Sequence, residues 1–297
     1  METGGRLDRM MEQNGPRGQS GGITMNVRCD LHTHTTASDG QYTPTELVGL
    51  AKKRGLSVLA VTDHDTIAGV GEAQRAGNAL GLRVIRGVEL SAKDHPNCHI
   101  LGYGFRDGDT ELARLCEKFR AGRDERKYKI VDFLREKGAE VDLAEVEELA
   151  GGEVIARPHF AQILVRRGYV STNREAFDRY LDTEEFRQRV KRFKADAKTC
   201  VEAIKEAGGK VSLAHPYQMG LPDGELDRLV GRLKDWGLDA IECDYPKYSQ
   251  SQRAFYLHLA ERYGLHRTGG SDFHGERVKP DVELAALELE LDWLGGC

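Results

Sequence analysis

The sequence predicts an α/β fold with a parallel sheet or barrel covered by helices, and three observations lead to this prediction. Short apolar runs alternate with segments of helical periodicity, both early and late in the chain. The run at residues 57–62 (SVLAVT) is continuously apolar, as is typical of a parallel strand buried on both faces. Side chains that can bind metal ions follow most of the predicted strands, which favours a site at the carboxyl ends of a parallel barrel.

The individual elements follow from local signals. Residues 43–46 (TPTE) form a capping box with proline at the first helical position, and Gly55 and Gly81 are typical of helix ends. The predicted strands lie, in chain order, at residues 26–31, 57–62, 83–90, 99–104, 210–214, 240–243 and 266–269, with a last edge strand at 285–291. The helices between them are predicted at about residues 44–54, 69–80, 197–207, 225–236 and 250–263.

The connection between the third and fourth strands departs from the parallel pattern. The polar loop at residues 91–97 is too short for a parallel crossover, so we expect a hairpin with antiparallel strands. The first residue of the fourth strand, His99, should then lie at the same end of the sheet as Glu89.

Residues 105–195 have a different character. They are rich in Arg, Lys and Glu, show helical periodicity and lack strand-like runs. We expect one long helix or a broken pair up to Gly138, and shorter helices near residues 143–150, 158–167 and 174–181. The predicted domain organisation has three parts. They are a disordered leader at 1–23, a discontinuous barrel at 24–104 and 196–297, and a helical insertion at 105–195 that covers the active site.

Composition narrows the class of protein. The chain has 297 residues and a net charge of −5, which favours neither a nucleic-acid nor a membrane surface. No apolar run is long enough to cross a bilayer, and the first residues lack the apolar segment of a secretory signal. The cysteines show no metal or disulfide spacing, which indicates a cytoplasmic protein with reduced thiols.

The stretch DLHTHTTASDG at residues 30–40 carries the first chemical signal. His32 and His34 are two residues apart, so on an extended chain both imidazoles face the same side and can bind one ion. Asp39 adds a carboxylate in the loop that follows. A lone His-x-His pair is weak evidence, because two unrelated surface histidines would show the same spacing.

Further candidates stand at the ends of other predicted strands or just after them, and His99 joins them through the hairpin. They comprise His64, Glu89, His99, His215, Asp272 and His274. In a barrel the carboxyl ends of the strands share one face, so residues far apart in sequence converge there. A set of imidazoles and carboxylates without thiolates suits Zn²⁺, Mn²⁺ or Fe²⁺, and several neighbouring ions are typical of phosphate-ester hydrolysis.

Six motifs, in this order, resemble the PHP-domain phosphoesterases, a superfamily named for its polymerase and histidinol-phosphatase members. They read HTHTTASDG, TDHDTIAGVGEA, GVELS, CHILGYG, LAHP and GGSDFH. The resemblance implies a distorted seven-stranded β/α barrel with a trinuclear metal centre. The insertion, which contains the string ARPH at residues 156–159, resembles that of the branch acting on nucleotides and short oligonucleotides.

The resemblance also implies a ligand set and roles. The first ion would be bound by His32, His34, Glu89 and Asp272, the second by Glu89, His99 and His215, and the third by Asp39, His64 and His274. We therefore expect roughly two to three divalent ions, Mn²⁺, Zn²⁺ or Fe²⁺, with Mg²⁺ as a further option. The catalytic residues would be Glu89, Asp65 and His215, although Asp65 fits a helix N-cap equally well.

The insertion supplies the candidates for substrate binding. The RPH string indicates that Arg157 and His159 clamp a phosphate, for which the planar fork of arginine is suited. Arg126, on the long helix, is a weaker candidate. The alternative is that Pro158 simply begins a helix and Arg157 is solvated.

The predicted function is hydrolysis of phosphate mono- or diesters of nucleotides or short RNA or DNA ends, without a membrane partner. One alternative is an amidohydrolase, also a barrel beginning with His-x-His, which has no obvious use for Asp39, His64 and His274 together. Others are a histidinol-phosphate-type phosphatase and a non-catalytic, metal-stabilised module. The intact ligand set and the absence of a basic stripe speak against the last.

Overall fold

A computed structural model of the chain describes residue 1 and residues 26–151 and 155–295. Apart from residue 1, the predicted leader at 1–23 lies outside the described residues. Within them, no helix combines the length and the apolar character needed to cross a membrane.

The strands form one nearly closed barrel in the order β7-β6-β5-β4-β3-β2-β1-β8, and β7 and β8 contact each other at its open side. They are β1 (Val27–Asp30), β2 (Val58–Val61), β3 (Arg83–Ser91), β4 (His99–Tyr103), β5 (Lys210–Leu213), β6 (Ala240–Asp244), β7 (His266–Gly269) and β8 (Leu287–Leu289). β8 pairs antiparallel with β1 and is the predicted edge strand. The predicted α/β barrel is confirmed.

The predicted hairpin between β3 and β4 is also confirmed. β4 runs antiparallel to β3, with Ser91 opposite His99, and antiparallel to β5 as well. The other neighbouring pairs from β1 to β7 are parallel. This one reversal places the first residue of β4, His99, beside the carboxyl ends of its parallel neighbours.

Helices cover the barrel and fill the segment between β4 and β5. They are α1 (Pro44–Lys53), α2 (Val70–Leu80), α3 (Glu111–Glu136), α4 (Leu143–Ala150), α5 (Arg157–Arg166), α6 (Asn173–Ala176), α7 (Glu184–Arg189), α8 (Ala197–Glu206), α9 (Asp223–Trp236) and α10 (Gln250–Tyr263). Thr43 and Glu46 form the predicted capping box of α1. Gly81 ends α2 at a φ of 61°, in the left-handed region that glycine adopts readily.

The segment between β4 and β5 contributes to two hydrophobic clusters, one shared with the barrel and one formed within the segment itself. α3 is a single unbroken helix. Its first half, including Phe119, packs into the main barrel core, whereas Phe133 in its second half packs into a separate cluster with α4 to α7. The predicted helix at 174–181 is α6 followed by a π-helical turn, Phe177–Leu181, and α7 has no counterpart among the predicted helices. α3 therefore ties the helical segment firmly to the barrel.

Candidate metal centre

The loops after β1 and β7 bring the first pair of histidines next to Asp272. The amide of His34 donates to the carbonyl of Phe273 at 2.9 Å, and that of Asp272 donates to the carbonyl of His32 at 2.8 Å. The two loops approach so closely that a Cβ on Gly270 would lie 2.3 Å from the Cβ of His32, so only glycine fits there. As a result, Asp272 Oδ1 lies 3.3 Å from His34 Nε2.

Glu89, near the end of β3, lies at the middle of the cluster. Its Oε1 is 2.8 Å from both His99 Nδ1 and His215 Nε2. Its Oε2 is 2.8 Å from His64 Nδ1 and 3.3 Å from His32 Nε2. The hairpin register places His99 here, and His215 follows directly after β5. One fully buried carboxylate therefore faces histidines from four different strand ends.

Three groups of donors have atoms that all lie within 4.8 Å of one another. They are His32, His34, Glu89 and Asp272; then His34, Asp39, His64 and His274; then His64, Glu89 and His99. His215 is not in these groups but contacts Glu89. The structure thus brings together every residue predicted as a ligand. It also places His34 and His64 between two groups each, whereas the resemblance assigns each to one ion.

Several buried polar atoms in this cluster lack a hydrogen-bond partner, which tests whether the residues fit metal ions. The unpartnered atoms include His32 Nε2, both ring nitrogens of His34, Asp39 Oδ1, His64 Nδ1, Glu89 Oε2 and His215 Nδ1. Buried polar atoms without partners are rare and require an explanation. Three of these nitrogens, His32 Nε2, His34 Nε2 and His64 Nδ1, lie within 3.3 Å of Glu89 Oε2. Because these converging atoms are all imidazole or carboxylate donors, divalent cations would satisfy them together.

Electrostatics agree with this interpretation. Burial lowers the pKa of His99 to about 3, which keeps its ring neutral, as a metal ligand must be. Burial opposes ionisation of Glu89, but the neighbouring histidines, His64 and His32 foremost, hold the pKa of this carboxyl well below its usual range. Glu89 is therefore an anion at neutral pH, ready to face cations.

Asp65, which the resemblance suggests as catalytic, has other contacts in the structure. Its Oδ1 accepts from the amide of Ser91 at 2.7 Å, and its Oδ2 accepts from Arg123 Nε at 3.1 Å. Arg192 Nη2 lies 3.0 Å from the same Oδ2. Burial alone would raise the pKa of Asp65, but Arg192 and Arg123 hold it below its usual range. Asp65 thus connects the barrel to two arginines of the helical segment.

A cavity of about 600 Å³ opens directly onto the cluster, with Asp39, His64 and His99 in its lining. Half of the other lining residues are cationic: Lys93, Arg123, Arg126, Arg157, Arg187, Lys191, Arg192 and Lys194. Burial and the neighbouring Arg157 and Arg192 lower the pKa of Arg126 to about 9. So many close positive charges favour an anion in this cavity.

The three residues predicted to bind substrate differ in their contacts. Arg157 lines the cavity, but its Nη1 lies 2.6 Å from Asp182 Oδ1. Arg126 also lines it, and its Nε donates to the carbonyl of Val190. His159 is buried, and its Nδ1 accepts from the amide of Ala156 at 3.1 Å, at the start of its own helix.

Sequence reasoning missed several residues of the site. Arg192 and Lys194 stand in a KRFK run at 191–194, whose charge density was a usable signal. The side chain of Arg192 is only 7% exposed, and its Nε lacks a partner. Glu242, buried in β6, contacts His32 and the amide of His215. A single glutamate inside a strand gives no signal of this kind.

Comparisons with known proteins agree with the geometry. The family model described as PHP domain matches residues 30–192. A 5'-3' exoribonuclease of Haemophilus influenzae is 38% identical over 84% of this chain and 91% of its own length. A 3',5'-nucleoside bisphosphate phosphatase of Chromobacterium violaceum is 34% identical over 82% of this chain and 86% of its own length. A solved structure from Bifidobacterium adolescentis, described as a metal-dependent phosphoesterase, has a TM-score of 0.78 and 31% identity, over 89% of this chain and 93% of that one.

Proposed function

Because the chain belongs to the PHP-domain family of metal-dependent phosphoesterases, we propose that it hydrolyses phosphate esters of nucleotides or short oligonucleotides at the Glu89 cluster. The observation that carries this proposal is the shared cavity. Unpartnered metal-type donors, including His64, and a ring of arginines line one space. A phosphate in that space would contact ions on one side and guanidinium groups on the other.

The metal-binding residues and the arginines have different roles in the proposed reaction. When bound, the ions polarise the phosphate ester and lower the pKa of water, so that hydroxide is available near neutral pH. Glu89 and the surrounding histidines would hold the ions, and Asp39 and His274 extend the cluster by a further pair of donors. The arginines would neutralise phosphate oxygens that face away from the ions, and α3 and α5 carry three of these arginines, Arg123, Arg126 and Arg157.

We propose roughly two to three ions, as multi-ion phosphoesterases need. The donors are histidines and carboxylates, with no thiolate among the described groups. Such a set suits Mn²⁺, Zn²⁺ or Fe²⁺, and it accepts Mg²⁺ less readily because Mg²⁺ prefers oxygen ligands. Glu89 is the best candidate for a bridging ligand because its two oxygens face different histidines.

The size and charge of the cavity favour a substrate with more than one phosphate. One phosphate at the ions would leave Arg126, Arg157 and Lys191 without a counter-charge other than Asp182. A second phosphate on the same molecule would supply it. This supports a nucleoside bisphosphate or the phosphorylated end of an oligonucleotide over a small monoester, in line with the activities named for two relatives.

We further propose that residues 105–195 form an inserted subdomain that covers the active site of a barrel made by 24–104 and 196–297. The separate hydrophobic cluster of α4 to α7 supports this division. The cavity supports the covering role, because α3, α5, α7 and the segment after α7 contribute its arginines. The cysteines that the structure describes are buried and unpaired, which supports a cytoplasmic location.

The test is a substrate panel with protein loaded with Mn²⁺ or Zn²⁺. We expect phosphate release from adenosine 3',5'-bisphosphate, or mononucleotides from a 5'-phosphorylated oligoribonucleotide, at a much higher kcat/KM than from p-nitrophenyl phosphate or histidinol phosphate. N-acyl amino acids test the amidohydrolase alternative. Hydrolysis of an amide but of no phosphate ester would contradict the proposal, and equal rates on all phosphate esters would contradict the role of the basic cavity.

A further inference from the structure

Glu242 is a buried carboxylate that touches two candidate metal ligands without being one of the grouped donors. It lies in the middle of β6 and is 1% exposed. Its Oε1 is 3.2 Å from His32 Nδ1, and its Oε2 accepts from the amide of His215 at 2.6 Å. Its ion-pair partner among the described residues is His32 rather than a lysine or arginine.

The contact with His32 fixes which ring nitrogen carries the proton. A carboxylate can only accept, so Nδ1 of His32 must donate to Glu242. The lone pair of the neutral ring is then on Nε2, the atom that lacks a partner and lies 3.3 Å from Glu89 Oε2. A carboxylate behind a histidine in this way orients the ring and raises its basicity toward a metal.

The contact with His215 supports an unusual backbone conformation. His215 has a φ of 21°, which a residue with a side chain rarely adopts. Asp65 and Asp272, two further non-glycine residues with positive φ that follow barrel strands, donate their amides to backbone carbonyls. The amide of His215 is instead held by the side chain of Glu242, so a substitution can remove this support.

We propose that Glu242 is a positioning residue, a proposal that rests on the proposed metal centre. Glu242 orients His32 and His215, which lie near different oxygens of Glu89, as ligands for two different ions. Substitution by glutamine keeps the size but leaves one acceptor oxygen. If that oxygen keeps the bond from His32, an NH₂ group faces the amide of His215. If it keeps the bond from His215, the NH₂ group donates to His32 Nδ1 and moves the ring proton to Nε2. In either case one ligand is lost.

The experiment measures metal binding directly, with no substrate. Calorimetric titration of metal-free protein with Zn²⁺ and Mn²⁺ should show at least one ion bound about tenfold to hundredfold more weakly in Glu242→Gln, as loss of a supporting carboxylate typically causes. Asp244→Asn is the matched control, because this carboxylate lies two residues further along β6 and pairs with Arg253 and Arg267. It should bind metal like the wild type.

Thermal unfolding separates positioning from a role in the fold. Metal-free Glu242→Gln should melt somewhat lower than the wild type, because one of the two contacts of Glu242 is lost, and the rise in Tm on adding Zn²⁺ should shrink as well, so that the fall in Tm is larger with metal than without it. Wild-type affinity for every ion would overturn the proposal, and so would an equal fall in Tm with and without metal. If the wild type itself binds no metal, the proposed metal centre fails instead.

A measurement on the unaltered protein keeps the proposal testable if the variant does not fold. In the Zn²⁺-loaded wild type, a long-range ¹H–¹⁵N spectrum should show His32 with its proton on Nδ1. A proton on Nε2 of His32 would overturn the proposal.

Discussion

Arg192 should contribute more to substrate binding than Arg157, which the sequence alone favours. The side chain of Arg192 is 7% exposed, and its Nε is buried in the cavity wall without a partner. Arg157 is 30% exposed on its side chain and already paired with Asp182. Arg192 is also paired, through its Nη2 with the buried Asp65, but its buried Nε has no partner and would gain one from a phosphate. The more exposed Arg157 would instead exchange water or its contact with Asp182 for the phosphate, which gains less.

The magnitude follows from these environments. A hydrogen bond between a charged pair is worth about 1.5–3 kcal/mol, so Arg192→Met should lower kcat/KM for a nucleoside 3',5'-bisphosphate by about tenfold to 150-fold. A partly exposed, already paired arginine contributes about 0–1 kcal/mol, so Arg157→Ala should lower it by no more than about fivefold. Methionine has a similar length to the arginine stem and limits the loss of packing.

The assay compares kcat/KM for the bisphosphate and for p-nitrophenyl phosphate in wild type, Arg192→Met and Arg157→Ala. Arg114→Met, on the exposed face of α3, serves as the control for losing one positive charge. The aryl phosphate should be affected less, because it has no second phosphate. Equal losses on both substrates would assign Arg192 to the reacting phosphate, and a larger loss from Arg157→Ala than from Arg192→Met would refute the ranking.

Three more predictions follow from single contacts. Glu89→Gln should lower kcat by at least about a thousandfold and reduce the metal content measured by elemental analysis, because Glu89 faces histidines on both oxygens. Near-wild-type turnover in excess metal would contradict this prediction. Burial and Arg192 lower the pKa of Lys194 to about 8, so its charge is present below that pH and lost above it. The inhibition constant of sulfate should accordingly rise as pH increases through about 8, and Lys194→Met should remove that step. Asp65→Asn leaves Arg123 and Arg192 buried without their carboxylate, and the free energy of unfolding in urea should fall by about 3–5 kcal/mol.

The parts of the fold that the sequence predicts well are those with local causes. The capping box at Thr43 and the left-handed Gly81 mark helix ends within a few residues of sequence. The hairpin into β4 follows from loop length alone, because a loop of a few residues cannot make a parallel crossover. His32 and His34 could likewise be paired from their spacing, which places both rings on one side of the chain.

The parts that the sequence does not predict depend on contacts between distant segments. Arg192 lies in an irregular segment after α7, and only the fold shows that its guanidinium reaches Asp65 of the barrel. Glu242 is a polar residue within β6, and its role depends on which loops of the folded chain approach its side chain. For the same reason the sequence leaves the role of Asp65 open between a helix cap and a catalytic group, because its arginine partners come from the helical segment.

The backbone shows why local rules fail most clearly at this site. Among the described residues, the non-glycine positions with positive φ include Asp65, His215 and Asp272, each just after a barrel strand. Their amides donate to the carbonyl of Glu89, the side chain of Glu242 and the carbonyl of His32, respectively. Each acceptor belongs to a strand or loop other than that of its donor, so neighbouring strands must be paired, and for Asp272 the loops after β1 and β7 must meet, before these conformations are stabilised. The same contacts that hold the strained residues also place the metal-type donors, so the geometry of the site depends on the packing of segments that are distant in sequence.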